Sequence, residues 1–452
     1  MGFFFTFVYI SFALLSPQTL FPGYRVELGV GILALLFSVP GLFLERHRFY
    51  RTPQVYLLAG MIPAVFLSQA IGGHWFGGGV LAVAQFLPSA LAFYLIVLNC
   101  PTLTRLKFLA SALAAIAAFF VLQGARAYYA SDLSSIFLTT MGSEAEPILR
   151  IRGLGFLNDP NELAQFFVVI IPLFWLLWRN GRIFRSILLV ILPTAFFIWG
   201  IYLTHSRGAI VALFVIFLLG LKDRLGIVGS LLATAVLCAA LLVMNISGGR
   251  EVSMAAGADR MAFWGTGLQL FKAFPLFGVG LGNFPEWNAG HTAHNTFVQC
   301  LAEIGLLGYT LWMGLLIFTI AGLHACLAAL KPRPKEAPLA ARVNSAGTFP
   351  VITTQLARPG PVEATSADIY RWATMLRISL AGFLTAAWFL SRAYVLTLYL
   401  ILGMSVTLLW LVPKEKEAAA AQPLSRLLAL TAELEFAPIV FVYLCLRARV
   451  FF

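Results

Sequence analysis

The stretch HTAHNTFVQCLAEIGLLG, from His291 to Gly308, sets two histidines and an asparagine directly ahead of an apolar run. A neutral imidazole at such a boundary can take a proton from an attacking hydroxyl. Asn295 and Glu303 are spaced to orient or tune His294, although Glu303 lies two helical turns further on. Two other readings stand beside this one. His291 and His294 are three residues apart, a spacing found in zinc sites, but no third histidine or cysteine lies nearby, and Asp259 and Glu286 are weak candidates. A histidine at a helix start also serves as a cap or a packing group, which is the preferred reading for His291.

Three arginines point to an anion. In LTHSRGAI (203–210) an outer turn of very few residues leaves Arg207 at the edge of the apolar runs on either side. There it either snorkels to lipid headgroups or presents a planar fork to a phosphate. Ser206 and the amides that open the following helix supply further donors. GADRMAFWGTGLQLFKAFPLFGVGLGNF (257–284) reads as an amphipathic helix carrying Arg260, stopped at Pro275 and followed by a glycine-shaped loop. Arg260 beside Asp259 is also compatible with a surface pair. GVGLG is no nucleotide fingerprint, because neither its spacing nor its setting fits one. RGLGFLNDPNELAQFF (152–167) brings Arg152, then Asp159 as a cap, then Asn161, Glu162 and Gln165 inside the start of an apolar run. Taken together, Arg207, Arg260 and Arg152 would hold a diphosphate and neutralise the charge growing on it as a leaving group. His294 would activate the incoming nucleophile. Such a set needs no metal and no cofactor.

The elements that must position these residues are membrane helices. Of 452 residues 60% are hydrophobic and 11% charged, and the mean hydropathy is +0.88. A soluble chain of this length carries more polar surface. Continuous apolar runs of about 20 residues, each long enough to cross the hydrocarbon, recur from end to end, which excludes a porin-like barrel. About twelve spans are expected, near 2–16, 26–44, 52–70, 79–99, 108–123, 162–178, 187–203, 208–221, 227–246, 298–328, 373–391 and 394–412. The fold class is therefore an all-α polytopic membrane protein. Residues 1–123 form N-terminal spans. Residues 124–330 form a core with long outer loops at 124–161 and 247–297. Residues 331–372 read as a Pro-, Ala- and Thr-rich linker, 373–412 as two further spans, and 413–452 as a tail with an interfacial helix. ERHRFYR (45–51), RNGRIFR (179–185), KDR (222–224) and KPRPKE (331–336) all fall on one side if the N-terminus is cytoplasmic. The net charge of +12 is then largely a topology signal and not a nucleic-acid footprint. The arginines of the outer loops are not needed for insertion, which is why they invite a ligand. Five scattered cysteines without a CxxC indicate neither a zinc site nor a disulfide framework.

FLNDPNELA (156–164), THSRGA (204–209), DRMAFWGTGLQLFKAFPLFGVGLGNF (259–284) and above all HNTFVQCLAEIGLLG (294–308) resemble the O-antigen ligase and O-antigen polymerase superfamily of bacterial envelope proteins. The likeness covers roughly residues 150–330. It implies a GT-C-like helical fold of the inner membrane with a periplasmic loop subdomain over the site. It implies a metal-independent glycosyltransferase that takes its glycan from a polyprenyl-diphosphate carrier. The acceptor is lipid A-core in ligases, a growing glycan in polymerases, and a protein in related members. By this resemblance Arg207 matches the membrane-edge arginine, Arg260 the arginine opening the loop helix, and His294 the histidine of acceptor activation; Arg152 matches more loosely. The short loop 247–297 and the insert 331–370 depart from the ligase pattern and leave the subclass open. FLNDPNELA is reminiscent of members encoded with exopolysaccharide systems. The competing class is a transporter or flippase of lipid-linked glycans, which predicts mid-membrane ionisable groups and internal repeats; neither is evident.

Overall fold

The computed structural model of the protein describes residues 1–20, 26–141, 148–179, 181–243, 254–331 and 364–448. Most of the linker expected at 331–372, and the first residues of the loop at 247–297, lie outside the described residues.

The chain is a helical bundle. It begins with α1 (Gly2–Leu15), the short α2 (Pro17–Leu20), α3 (Val26–Tyr50), α4 (Pro53–Leu67), α5 (Phe76–Asn99) and α6 (Leu103–Tyr129). The apolar runs predict these elements apart from the four-residue α2. Their starts follow local chemistry: Thr102 accepts from the Arg105 amide at the head of α6, and Pro53 opens α4 where no amide hydrogen is needed. Next come α7 (Pro160–Trp175), the short α8 (Ile183–Ser186), α9 (Leu192–Thr204) and α10 (Arg207–Val243). Asp159 caps α7 by accepting from the Asn161 and Glu162 amides, as its Asp-Pro-Asn sequence indicates. Within α10, Gly226 takes φ 68°, so the span is two legs broken at the KDR segment, close to the expected boundary between 208–221 and 227–246.

The remainder comprises α11 (Met254–Ala273), α12 (Thr296–Leu330), α13 (Ser366–Ala387), α14 (Leu396–Leu409), α15 (Lys414–Ala420), α16 (Leu424–Leu434) and α17 (Ala437–Ala448). Among the described residues, seven segments are long and apolar enough to cross a membrane: Gly29–Tyr50, Pro53–Gly72, Phe76–Asn99, Leu103–Tyr129, Ile183–Thr204, Thr296–Leu330 and Leu424–Ala448. Gly2–Leu15, Pro160–Trp175 and Leu396–Leu409 are apolar but shorter. The protein is a largely helical, multi-pass membrane protein. The tail expected as an interfacial helix has, over Leu424–Ala448, the length and apolarity of a span. It lies against α12, where the Tyr309 hydroxyl donates to the Glu435 carbonyl at 2.8 Å.

Among the described residues, a departure from an all-helical chain lies in the segment between α6 and α7. β1 (Leu138–Met141) pairs antiparallel with β2 (Ile148–Ile151), with Leu138 opposite Ile151. The β-branched Thr139, Thr140, Ile148 and Ile151 suit a half-buried ribbon. Ile151 is fully buried against α6, so the ribbon is fixed to the bundle and aims Arg150 and Arg152.

Among the described residues, two apolar clusters make the core. One gathers around α6, α7, α9, α10 and α13, the other around α4, α5, α12 and α14. Trp312, Tyr309, Tyr399 and Phe383 are fully buried in the second. Among lipid chains such contacts hold helices by close packing and hydrogen bonds more than by exclusion of water. Trp312 Nε1 and Tyr399 OH accordingly both donate to the Ala393 carbonyl, at 3.1 and 3.2 Å, and fix the loop between α13 and α14.

Candidate active site

The start of α12 is built so that His294 need not cap it. Asn295 is the cap: its Oδ1 accepts from the Phe297 and Val298 amides at 3.0 and 3.1 Å. His294 sits one residue before, at φ 48°. A left-handed backbone is rare for a residue other than glycine and carries strain of about 1–3 kcal/mol, the kind that collects at functional sites. The twist directs the half-buried imidazole toward α11, where Phe263 lies 6.1 Å away between ring centroids. His291 is exposed and stacks on the same aromatic residue, its ring 5.3 Å from Phe263 and within 18° of parallel. Burial lowers the pKa of His294, and the charges of Arg260, Arg392 and His291 lower it further, against a smaller opposing pull from Asp159. The imidazole is therefore held in its neutral, basic form near pH 7.

Two of the sequence-selected arginines share this space. Arg207 is the first residue of α10, where the positive end of the helix dipole disfavours a cation. Arg260 is half-buried in α11, with its guanidinium 5.9 Å from the centroid of Phe389. Burial lowers its pKa, and the nearby charge of Arg207 adds to that effect. Two guanidinium groups at a helix N-terminus and in partial burial form a field that an anion would relieve. Ser206 is buried in the turn before Arg207, beside His205, whose φ of 50° closes α9.

Arg152 is placed differently. It follows β2, and its Nε donates to the Ile136 carbonyl at 3.1 Å. None of its contacts among the described residues reaches Arg207, Arg260 or His294. Its neighbour Arg150 is buried and ties the region together: Nε donates to the Thr204 carbonyl at 2.7 Å and Nη2 to Asn161 Oδ1 at 2.9 Å. Asn161 thus links the start of α7 to the end of α9, two residues before Ser206.

The residue that sequence reasoning missed is Arg392. It lies between α13 and α14, forms an ion pair with Glu162 of α7, and contributes to the field on His294. Its amide donates to Thr296 Oγ1 at 2.9 Å, and that hydroxyl donates to the Leu390 carbonyl at 2.6 Å. The first residue of α12 is thereby fastened to the α13–α14 loop. A signal was available: an arginine in a two-residue polar stretch on the expected outer side breaks the topology rule in the same way as Arg207.

Glu303 lies deeper. Gln299 Nε2 donates to its Oε1 at 2.8 Å, and the backbone amides of Gly282 and Phe284 face its carboxylate. Two residues on, Gly305 takes φ 60° and breaks α12. The break exposes backbone groups that the loop after Pro275 satisfies. The Val279 and Gly280 amides donate to the Ala302 and Glu303 carbonyls at 3.0 and 2.9 Å, and the Leu306 and Leu307 amides donate to Pro275 and Leu276 at 2.8 and 3.2 Å. A Cβ on Gly278 would lie 2.5 Å from the Glu303 carbonyl, and one on Gly305 would lie 2.5 Å from the Gly278 nitrogen. The P-x-x-G-x-G and E-x-G sequences are thus two halves of one backbone clasp. A cavity of about 320 Å³, bordered by Glu162, Arg392, Gln299 and Glu303, opens beside it.

Among the described residues no three histidine, cysteine, aspartate or glutamate side chains converge as a metal-ligand set. The arrangement offers a neutral base, a pair of adjacent guanidinium groups and a polar cavity. No curated protein matches the chain. A family model described as O-antigen ligase matches residues 192–313, and over that stretch, which runs from α9 through Arg207, Arg260 and His294 into α12, the chain is similar to that family.

Proposed function

We propose that the protein transfers a glycan from a polyprenyl-diphosphate carrier to an acceptor hydroxyl at the periplasmic face of the bacterial inner membrane. The observation that carries this reading is the neutral, strained His294 in the field of Arg260, itself beside Arg207. In the proposed step the acceptor oxygen attacks the anomeric carbon while its proton passes to the His294 imidazole. The bond from that carbon to the diphosphate breaks, and its electron pair leaves with the polyprenyl diphosphate. Arg207 and Arg260 take up the charge that grows on the leaving oxygens, a role in which interactions made in a water-poor site are worth most. Arg152 contacts the carrier from the ribbon's edge. Asn295 holds the backbone at His294, Asn161 and Ser206 hold the turn that carries Arg207, and Glu303 holds the loop after Pro275.

The reaction in this form uses side-chain cations where many glycosyl transfers use a divalent metal. The bundle completes twelve passes in a GT-C-like arrangement, with the helix ends around His294 facing the periplasm and the arginine-rich loops facing the cytoplasm. The acceptor class is a growing glycan, lipid A-core or a protein. Mass analysis of carrier-linked glycans in a strain lacking the protein tests the reading and separates these classes. Single repeats accumulating with loss of long chains indicate a polymerase; long chains held on the carrier indicate a ligase. An unchanged glycan profile on carrier, lipid A and protein overturns the proposal.

A further inference from the structure

A second cluster of cations lies at the opposite end of the same helices. A cavity of about 500 Å³ is bordered by α7, α9, α10 and α13. Its wall is apolar, with Trp175, Ile198, Phe217 and Met375 among the residues that line it. Leu237, eleven residues beyond the break at Gly226, faces the same space as Phe217, nine residues before it, so both legs of α10 border the cavity. Its rim holds Arg224, Arg371 and Asp223. Arg224 lies about 17 residues along α10 from Arg207, roughly 25 Å at helical rise, so the cavity is remote from the candidate active site.

The two rim cations come from α10 and α13. The Arg224 guanidinium stands 4.4 Å from the Trp178 ring centroid. Arg371 donates through Nη2 to the Leu176 and Trp178 carbonyls, at 2.5 and 3.1 Å, which anchors the end of α7. That leaves its Nε and Nη1 hydrogens without a protein acceptor among the described residues. Arg179 and Arg224 both lie within electrostatic reach of Arg371. A smaller cavity of about 260 Å³ shares Arg371 and adds Lys107, Arg179 and Asp368. Four cations against two carboxylates leave an excess of two positive charges across the joined rims. One of the carboxylates is engaged, since Asp368 accepts from the Thr365 hydroxyl at 2.8 Å. Charge for orientation in the membrane needs only to sit in loops. Here the cations instead ring an apolar hollow among membrane helices, the arrangement that suits a lipid with a phosphate head.

We propose that this cavity binds an anionic phospholipid, with an acyl chain against Trp175, Phe217 and Leu237 and its phosphate on Arg224 and Arg371. The site is independent of the glycan-transfer reading. The full-length protein, purified in mild detergent and stripped of lipid, is titrated with dioleoyl phosphatidylglycerol or dioleoyl phosphatidylcholine, and bound lipid is counted by native mass spectrometry. Phosphatidylglycerol is expected to bind at least about tenfold more tightly, the worth of one charge-assisted contact. Arg224→Gln is expected to remove that preference. Ala195→Phe, which fills the hollow from α9, is expected to weaken the binding of phosphatidylglycerol while Arg224 and Arg371 remain. Glycerol phosphate serves as the chain-free probe. Equal binding of the two lipids by the wild type, a preference that survives Arg224→Gln, undiminished binding in Ala195→Phe, or competition by glycerol phosphate as effective as that of the whole lipid would each overturn the proposal.

Discussion

Replacing His294 by asparagine separates chemistry from architecture. Asparagine tolerates the left-handed backbone that His294 adopts at φ 48°, so the substitution leaves the chain path undisturbed. The cap of α12 is also untouched, because Asn295 supplies it. What disappears is the base. An unperturbed imidazole with a pKa near 6.5 is already about three-quarters neutral at pH 7, and burial with the charges of Arg260 and Arg392 moves it further toward the neutral form. Nearly every molecule is therefore competent, and the loss should approach the full worth of a general base, about 10²–10⁴-fold in transfer rate. Donor binding should change little, since the guanidinium groups that hold the diphosphate remain. In the wild type the neutral form persists as pH falls to 6.5, so the rate should fall only at lower pH, as the depressed pKa is crossed. The assay is product formation from a defined carrier-linked glycan, with donor affinity measured in parallel from pH 5 to 8. Transfer within about twofold of wild type in His294→Asn, or a rate already halved at pH 7, would refute the assignment.

Other outcomes follow from the same geometry. Arg207→Lys retains charge but not the planar fork, so donor affinity and turnover should fall together by about 10–150-fold, the worth of a charge-assisted hydrogen bond; unchanged affinity in an equilibrium binding assay removes Arg207 from the diphosphate. Arg392→Gln takes a cation from the field of His294, so the acidic limb of the pH–rate profile should move to higher pH and Arg392→Lys should return it, whereas a purely structural role would scale the profile without moving it. Asn295→Ala removes the acceptor for two amides and should cost about 1–2 kcal/mol in thermal unfolding, with Asn295→Asp restoring most of it. Gly305→Ala puts a methyl group against Gly278 and Leu276 in a left-handed backbone, so the clasp must open, at a cost of about 1–3 kcal/mol read as a lower thermal midpoint.

The membrane helices were legible because continuous apolar runs and punctuating Asp-Pro, Thr and Gly residues carry local signals. The cap at Asp159 and the break at Gly226 fall close to where the sequence places them. Helix α3 runs on through ERHRF to Tyr50, because residues with good helix propensity continue a turn that hydropathy alone would end. The ribbon at Leu138–Ile151 was not read, since strands of four residues are too short for a period to emerge. At the site, Arg260 lies within electrostatic reach of both Arg207 and His294. Arg392 stood out as an arginine in a two-residue polar stretch, but its pairing with Glu162 was hidden, because an ion pair joining residues 230 positions apart leaves no local trace. The clasp between Val279–Gly280 and Ala302–Glu303 was visible only as unexplained glycines.

The most direct test reconstitutes the purified protein in vesicles with a single defined polyprenyl-diphosphate glycan and a hydroxyl acceptor, and follows the carrier and acceptor together by mass spectrometry. The account predicts a new glycosidic bond and one polyprenyl diphosphate released for each bond formed, with both lost in His294→Asn. Movement of the intact carrier-linked glycan across the vesicle without a new bond, or bond formation undiminished in that variant, would contradict it.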